Sequence, residues 1–181
     1  MFIIFLLIKM NSPGPAFYVH RRIGCEGRQF GCIKFRTMHA DSDARLRALL
    51  ACDPTAAREY AAEAKLRNDP RIIAGIGTVL RKTSLDEVPQ FFNVLKGDMS
   101  VIGPRPVTQE ELDRHYGASA PDVLSARPGI SGLWQVSGRS GLSYAERVRL
   151  DLDYVRDWGF MRDVAILLRT VVVVILGRGA C

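Results

Sequence analysis

No apolar run in the chain has the length that crosses a bilayer, no two cysteines are paired in CxxC spacing, and the histidines form no cluster. The opening run, Met1 to Ile8 (MFIIFLLI), holds eight residues, where a helical span needs about 20. It predicts no crossing. A basic n-region ahead of it and a small-residue cleavage site after it are also lacking, so it is not read as a secretory signal. A buried strand and a segment resting on a membrane surface both remain open for it. Cys25, Cys32, Cys52 and Cys181 have no thiol or imidazole at zinc-ligand spacing, which sets aside structural zinc and dithiol redox chemistry and predicts free thiols in a reducing compartment. His20, His39 and His115 stand without supporting neighbours and are read as incidental. With neither an internal repeat nor a linker, the 181 residues, 48% of them apolar, read as one domain over 1–181.

Charge is what the chain has in excess. Twenty-five Lys and Arg face 19 Asp and Glu, a formal charge of +6, which favours anionic partners: phosphorylated substrates, acidic headgroups or nucleic acid. Ser12 to Gly31 mixes Pro, Gly, aromatic and basic residues as turns and short extended pieces do. In Phe30 to Met38, Ile33 and Phe35 alternate with Lys34 and Arg36, predicting a half-buried strand with cations on its other face. Asp41 to Leu66 predicts two short, solvated helices, the second opened by Asp53 as N-cap and Pro54 in the first turn, and Asn68-Asp69-Pro70 closes the excursion with a turn. A helix over 76–82 leads to a second that runs toward Leu95 with Gly97 as its C-cap. Tyr144 to Trp158 is helical in period. Val164 to Leu176 is 13 residues long and interrupted by Arg169, which suits an interfacial or buried helix.

The join between the two central helices carries adjacent carboxylates, Asp86 and Glu87, just after Arg81, Lys82, Thr83 and Ser84. Cations and the free N–H groups of a helix start make the local field positive and receptive to phosphate. An ionised carboxylate there can attack phosphorus, while its neighbour holds Mg²⁺ against a diphosphate. The bland alternative is a capping box, Ser84-x-x-Glu87, that merely opens a helix; Pro89 shifts that start toward Asp86. Arg105 lies between Pro104 and Pro106, a rigid presentation suited to a phosphate clamp. Arg127 before Pro128-Gly129 and Arg139 after Gly138 repeat the theme, and three such loops favour a polyanionic ligand. Trp134 is read as core, with ring stacking as the alternative.

Taken together, KFRTM (Lys34 to Met38), RKTSLDEVPQFFNVLKGDMSVIGPRP (Arg81 to Pro106), RPGISGLWQVSGR (Arg127 to Arg139) and LDLDYVRDW (Leu150 to Trp158) resemble the bacterial sugar transferases, monotopic phosphoglycosyl transferases that initiate exopolysaccharide, capsule and O-antigen synthesis. The resemblance covers nearly the whole chain. It implies an α/β, helix-rich fold with a small sheet, held to the cytoplasmic face of the inner membrane, with Met1 to Lys9 as the outgoing half of a re-entrant helix. It also implies that Asp86 attacks the β-phosphate of a UDP-sugar and releases UMP. Undecaprenyl phosphate then takes the sugar phosphate, Glu87 holds Mg²⁺, and Arg105 and Arg139 meet phosphate or nucleotide. Arg81 and Asp163 match positions that matter in the family, and Arg127, Lys34 and Arg36 complete the expected anion-binding set. GLWQVSGR and the 41–66 excursion lean toward the branch that uses UDP-galactose or UDP-glucose. That branch carries four transmembrane helices and a further domain upstream of the part matched here, and His20 and Arg21 replace its more usual Gln and acidic residue. The partners implied are the UDP-sugar, undecaprenyl phosphate and the membrane, with a homodimer open and nucleic acid not among them. Two rival readings stand beside this one: a non-catalytic polyanion-binding module, and an inactive remnant of a longer transferase.

Overall fold

The structure is a computed structural model that describes residues 1–63, 66, 68–138 and 141–176. In chain order, helix α1 (Phe2–Asn11) is followed by strands β1 (Phe17–Ile23) and β2 (Gln29–Phe35), then by α2 (Ser42–Cys52), α3 (Pro54–Glu63) and α4 (Ile76–Thr83). A 3-10 turn (Leu85–Gln90) joins α4 to α5 (Phe91–Lys96), which leads to β3 (Ser100–Ile102). The remainder is α6 (Gln109–Glu111), a π-helical turn (Leu112–Tyr116), α7 (Ala120–Leu124), β4 (Gly129–Ser131), α8 (Leu133–Ser137), α9 (Tyr144–Arg156) and α10 (Phe160–Ile175). The helix-rich α/β class expected from the sequence is what forms, with two sheets of two strands each among the described residues.

The chain divides into two compact units, residues 1–16 with 36–81, and residues 17–35 with 82–181. In the first, Phe2 to Ile8 is helical with Met1 as its N-cap, which overturns the buried-strand alternative: the run has no period to choose between strand and helix, and local bonds such as Phe5 N–H to the Met1 carbonyl decide it. Only Ile8 of α1 is buried, while Phe2, Ile3 and Met10 are largely exposed. Segment 36–39 bonds alongside 71–73, with Ile73 N–H donating to Thr37 and His39 N–H to Arg71. Ile73 and Leu80 are buried here, and Gly77 brings α4 so near this segment that a Cβ would meet the Thr37 carbonyl at 2.4 Å. The α2–α3 pair is the solvated excursion expected, and Asp53 caps α3 by accepting from the N–H groups of Thr55 and Ala56 at 2.8 and 3.1 Å.

In the second unit β1 and β2 form an antiparallel hairpin, Phe17 opposite Phe35 through Ile23 opposite Gln29. Strands β3 and β4 pair in parallel, and around them Ile102, Tyr154 and Ile166 make one apolar cluster. Ile23, Val107, Leu112, Tyr116, Val123 and Val148 make another. Close backbone approach sets the parallel pair: a Cβ on Gly103 would stand 2.4 Å from the Arg127 carbonyl, and one on Gly132 would stand 2.2 Å from the Gly103 carbonyl. No other residue type permits that separation. Among the described residues no helix is long and apolar enough to cross a membrane.

Candidate active site

Ser84 adopts a left-handed backbone, φ 57 and ψ 18, which ends α4 and turns the chain into Leu85–Gln90. A non-glycine residue in this region stores backbone strain of about 1–3 kcal/mol, and such strain gathers at functional sites. The Ser84 side chain caps nothing. The capping box that offered a purely structural role for Glu87 is therefore not formed, because the left-handed residue leads into a tight 3-10 turn rather than an α-helix. Glu87 instead accepts a 2.6 Å hydrogen bond from the Lys34 ammonium on β2. Both partners stay partly exposed, 31% and 26%, so the pair is open to solvent and to a ligand. Asp86, half-buried, precedes it on the same turn.

Asn93 fixes this turn to the strand. Its side-chain oxygen accepts from Ile33 N–H at 3.0 Å, and its amide donates to the Gly31 carbonyl at 2.8 Å and to Asp98 at 3.3 Å. Gly31 and Ile33 are alternate residues of β2, so their outward backbone groups lie on the edge that β1 leaves free. One buried side chain thus completes the strand edge as a neighbouring strand's peptide would, and holds α5 and the turn before it against β2.

The face of the hairpin that carries Lys34 also carries His20, Arg22 and Cys32. Arg22 donates to Glu111 at 2.7 Å and to the Pro106 carbonyl at 3.2 Å, which ties the strand to the Pro104-Arg105-Pro106 loop. Burial, then Arg105, lowers the Arg22 pKa. Burial, then Arg22, likewise lowers His20, with Lys34 and Arg105 adding to the effect, so a neutral imidazole sits among cations. Burial raises the Cys32 thiol, and the cations pull against it. Burial would also raise Glu111, but the Thr108 N–H, Arg22, Arg105 and the Tyr144 hydroxyl outweigh it and hold its carboxyl below the ordinary range. Trp134 is buried, as expected, and the Arg105 guanidinium lies 5.2 Å from its ring centroid. One side of this unit therefore concentrates Lys34, Arg22 and Arg105 near the Asp86–Glu87 turn. Converging cations of this kind suit a diphosphate.

The other expected site residues have other neighbours. Arg127 and Asp163 line a separate open cleft of about 640 Å³ with Trp158, Phe160 and Leu167. There Asp163 accepts from the Tyr154 hydroxyl at 2.8 Å and from the Trp158 indole at 3.3 Å. Arg36 belongs to the first unit, where its buried guanidinium donates to the Ser12 carbonyl at 2.9 Å. Arg81 closes that unit, its Nε buried without a partner. Arg139 falls outside the described residues. Sequence reasoning missed Asn93, Arg22 and Glu111, although Thr108-x-x-Glu111 is a readable capping box, and it forms.

Two adjacent carboxylates supply hard oxygen ligands of the kind Mg²⁺ takes when a substrate phosphate completes its shell. Among the described residues no cluster of three or more His, Cys, Asp or Glu could cage a metal unaided, so the dyad fits a metal that arrives with its substrate. Cys25, Cys32 and Cys52 are free thiols.

The bacterial sugar transferase family model matches residues 1–177. The exopolysaccharide production protein ExoY of Rhizobium meliloti is 47% identical over 178 residues, 98% of this chain and 78% of that protein. The undecaprenyl-phosphate galactose phosphotransferase of Salmonella typhimurium is 50% identical, over 98% of this chain and 37% of its own length. The UDP-glucose:undecaprenyl-phosphate glucose-1-phosphate transferase of Caulobacter vibrioides is 40% identical, over 92% of this chain and 59% of its length. A strained turn bearing paired carboxylates, set against a basic strand and a proline-locked arginine, thus occurs in a sequence matched almost end to end: the chain belongs to the bacterial sugar transferase family.

Proposed function

We propose that the chain transfers a hexose 1-phosphate from a UDP-sugar to undecaprenyl phosphate, at the cytoplasmic face of the bacterial inner membrane, as the first step of a surface polysaccharide. The observation that carries this reading is the Asp86–Glu87 turn, freed from a capping role and facing Lys34. The relatives named for undecaprenyl-phosphate sugar transfer support the substrate class. An Asp86 oxygen attacks the β-phosphorus; the bond from that phosphorus to the bridging oxygen breaks, and UMP leaves with the oxygen. The product is an acyl phosphate carrying the sugar. A phosphate oxygen of undecaprenyl phosphate then attacks the same phosphorus, which frees the Asp86 carboxylate and forms the lipid diphosphate sugar. Lys34 and Arg105 bind and orient the donor phosphates, and their fixed positive charge favours the charge that develops on UMP. Mg²⁺ held by Glu87 would supply further neutralisation of the diphosphate.

Exposed apolar side chains support a membrane surface. Phe2, Ile3 and Met10 stand out on α1, and Phe160, Met161 and Ile175 on α10. Such faces suit interfacial seating. The test is UMP release from a panel of UDP-sugars by protein reconstituted in membranes with Mg²⁺ and undecaprenyl phosphate. Wild type is expected to release UMP with UDP-galactose or UDP-glucose, and Asp86→Asn to release none and trap no labelled sugar phosphate. Donor binding without turnover by wild type would refute the catalytic reading and favour the inactive remnant.

A further inference from the structure

Glu111 takes more donors than a helix cap needs. Its Oε2 accepts from the Arg22 guanidinium at 2.7 Å and from the Thr108 N–H at 2.8 Å, and its Oε1 accepts from the Tyr144 hydroxyl at 3.0 Å. In return the Glu111 N–H donates to the Thr108 hydroxyl oxygen at 3.1 Å, so both halves of a capping box are made. Yet the helix that this box opens, α6, is only three residues long. The ion pair is largely withdrawn from water, with side-chain exposures of 22% for Glu111 and 12% for Arg22. Desolvation opposes the attraction in a pair so placed, which leaves little net stability; what the charged hydrogen bonds do fix is geometry. The geometry fixed is that of the loop around Arg105. Arg22 also donates to the Pro106 carbonyl at 3.2 Å, the Ile23 N–H to the Val107 carbonyl at 2.8 Å, and the Gly129 N–H to the Pro104 carbonyl at 2.8 Å. Pro104, Pro106, Val107 and Thr108 thus each have a backbone group held, and at Pro106 and Thr108 the holding groups are the side chains of Arg22 and Glu111. The Arg105 guanidinium, on this loop, lies 5.2 Å from the Trp134 ring centroid.

We propose that Glu111 is a positioning residue for donor binding: by holding Arg22 and the Thr108 N–H, it sets the 106–108 backbone so that the Arg105 guanidinium is in place before a diphosphate arrives. This rests on the reading of Arg105 as a phosphate clamp. A loop ordered in advance has less freedom to lose when the ligand binds. Tyr144 extends the same hub to the first turn of α9. Charge alone gives the opposite expectation. Glu111 is a negative group 2.7 Å from Arg22, so its removal frees a cation and by Coulomb attraction should tighten an incoming anion. Loss of positioning should loosen it, and the sign of the change separates the two.

The test is the affinity for UDP-galactose and UDP-glucose with Mg²⁺, by isothermal titration calorimetry on membrane-reconstituted protein carrying Asp86→Asn, so that binding is not followed by turnover. Added to that background, Arg105→Ala should weaken binding by about tenfold or more, and Glu111→Ala by about fivefold. With Arg105 already Ala, Glu111→Ala should cost nothing further, because it acts through that side chain. Glu111→Gln has one acceptor oxygen for three donors and should fall between the parent and Glu111→Ala. In ligand-free protein the Thr108 amide should lose exchange protection in Glu111→Ala. Tighter or unchanged binding in Glu111→Ala, a loss that multiplies with that of Arg105→Ala, or unchanged Thr108 exchange overturns the proposal and leaves the transferase reading standing. If the parent protein binds neither UDP-sugar, the transferase reading falls and the donor role of Glu111 falls with it. A Glu111→Ala variant that only unfolds is recognised by loss of the circular dichroism spectrum, and Glu111→Gln then carries the same cycle.

Discussion

Replacing Asn93 by Ala removes the single side chain that completes the free edge of β2. The Ile33 N–H loses its acceptor at 3.0 Å, and the Gly31 carbonyl loses its donor at 2.8 Å. Each unsatisfied backbone group costs about 1–3 kcal/mol when buried, so the pair sums to about 2–6 kcal/mol. Gly31 and Ile33 are only partly buried, so water recovers some of the loss and the expectation falls to about 2–3 kcal/mol. At roughly 2–4 °C per kcal/mol for a chain of this size, Tm should drop by about 5–10 °C. Thermal melts by circular dichroism measure the total, and amide hydrogen exchange locates it. The Ile33 amide should lose protection, while that of Cys32, which pairs toward His20 on β1, should keep it. A Tm within about 1 °C of wild type, with Ile33 exchange unchanged, would refute the surrogate-strand role.

Lys34→Met and Glu87→Gln should each change stability by less than about 1 kcal/mol, because the pair is partly exposed and solvent-screened; a double-mutant cycle measures their coupling. The same variants should lower sugar-phosphate transfer far more than stability, read as UMP release beside the melting curve. Gly103→Ala drives a Cβ to within 2.4 Å of the Arg127 carbonyl and is expected to destabilise by more than about 3 kcal/mol, in urea titrations. Asp151 has its folded pKa raised to about 7 from 3.8. The folded state therefore holds the extra proton between those values, and this group's contribution to stability falls as pH rises from about 4 to about 7. Asp151→Asn removes that slope, so its stability relative to wild type should improve by several kcal/mol, on the order of 4, between about pH 4 and pH 8; urea titrations across pH measure it.

Local chemistry was legible and long-range pairing was not. Asp53-Pro54 opens α3 and Gly97, with φ +85, closes α5, because caps are written within a few residues. Pro89 does not move the start toward Asp86: the turn begins at Leu85 with Ser84 as its N-cap, because a 3-10 turn accommodates the proline. Ser84 misled: the capping-box pattern is present, but its backbone is left-handed and Glu87 finds a stronger partner in Lys34, 53 positions away. Separations of that size leave no periodic trace, and the same holds for Asn93 with Gly31 and for Tyr116 with Asp151. Strands β3 and β4 are three residues each, too short for alternation to show. Gly103, Gly129 and Gly132 serve a close backbone contact that no local pattern announces. The arginine loops were recognised one by one, but which of them share a place depends on tertiary packing.

The Gly129 N–H donates to the Pro104 carbonyl and the Ser100 N–H to the Pro128 carbonyl, so the loop of Arg105 and the loop of Arg127 are laced across one pair of backbones with no side chain between them. Neither loop can hinge alone. A displacement at Arg105 would strain the bonds that hold the Arg127 loop, whose Arg127 lines the open cleft. Substitutions in one loop are then constrained by whatever the other must contact, and changes in the two are expected to be tolerated together more often than singly.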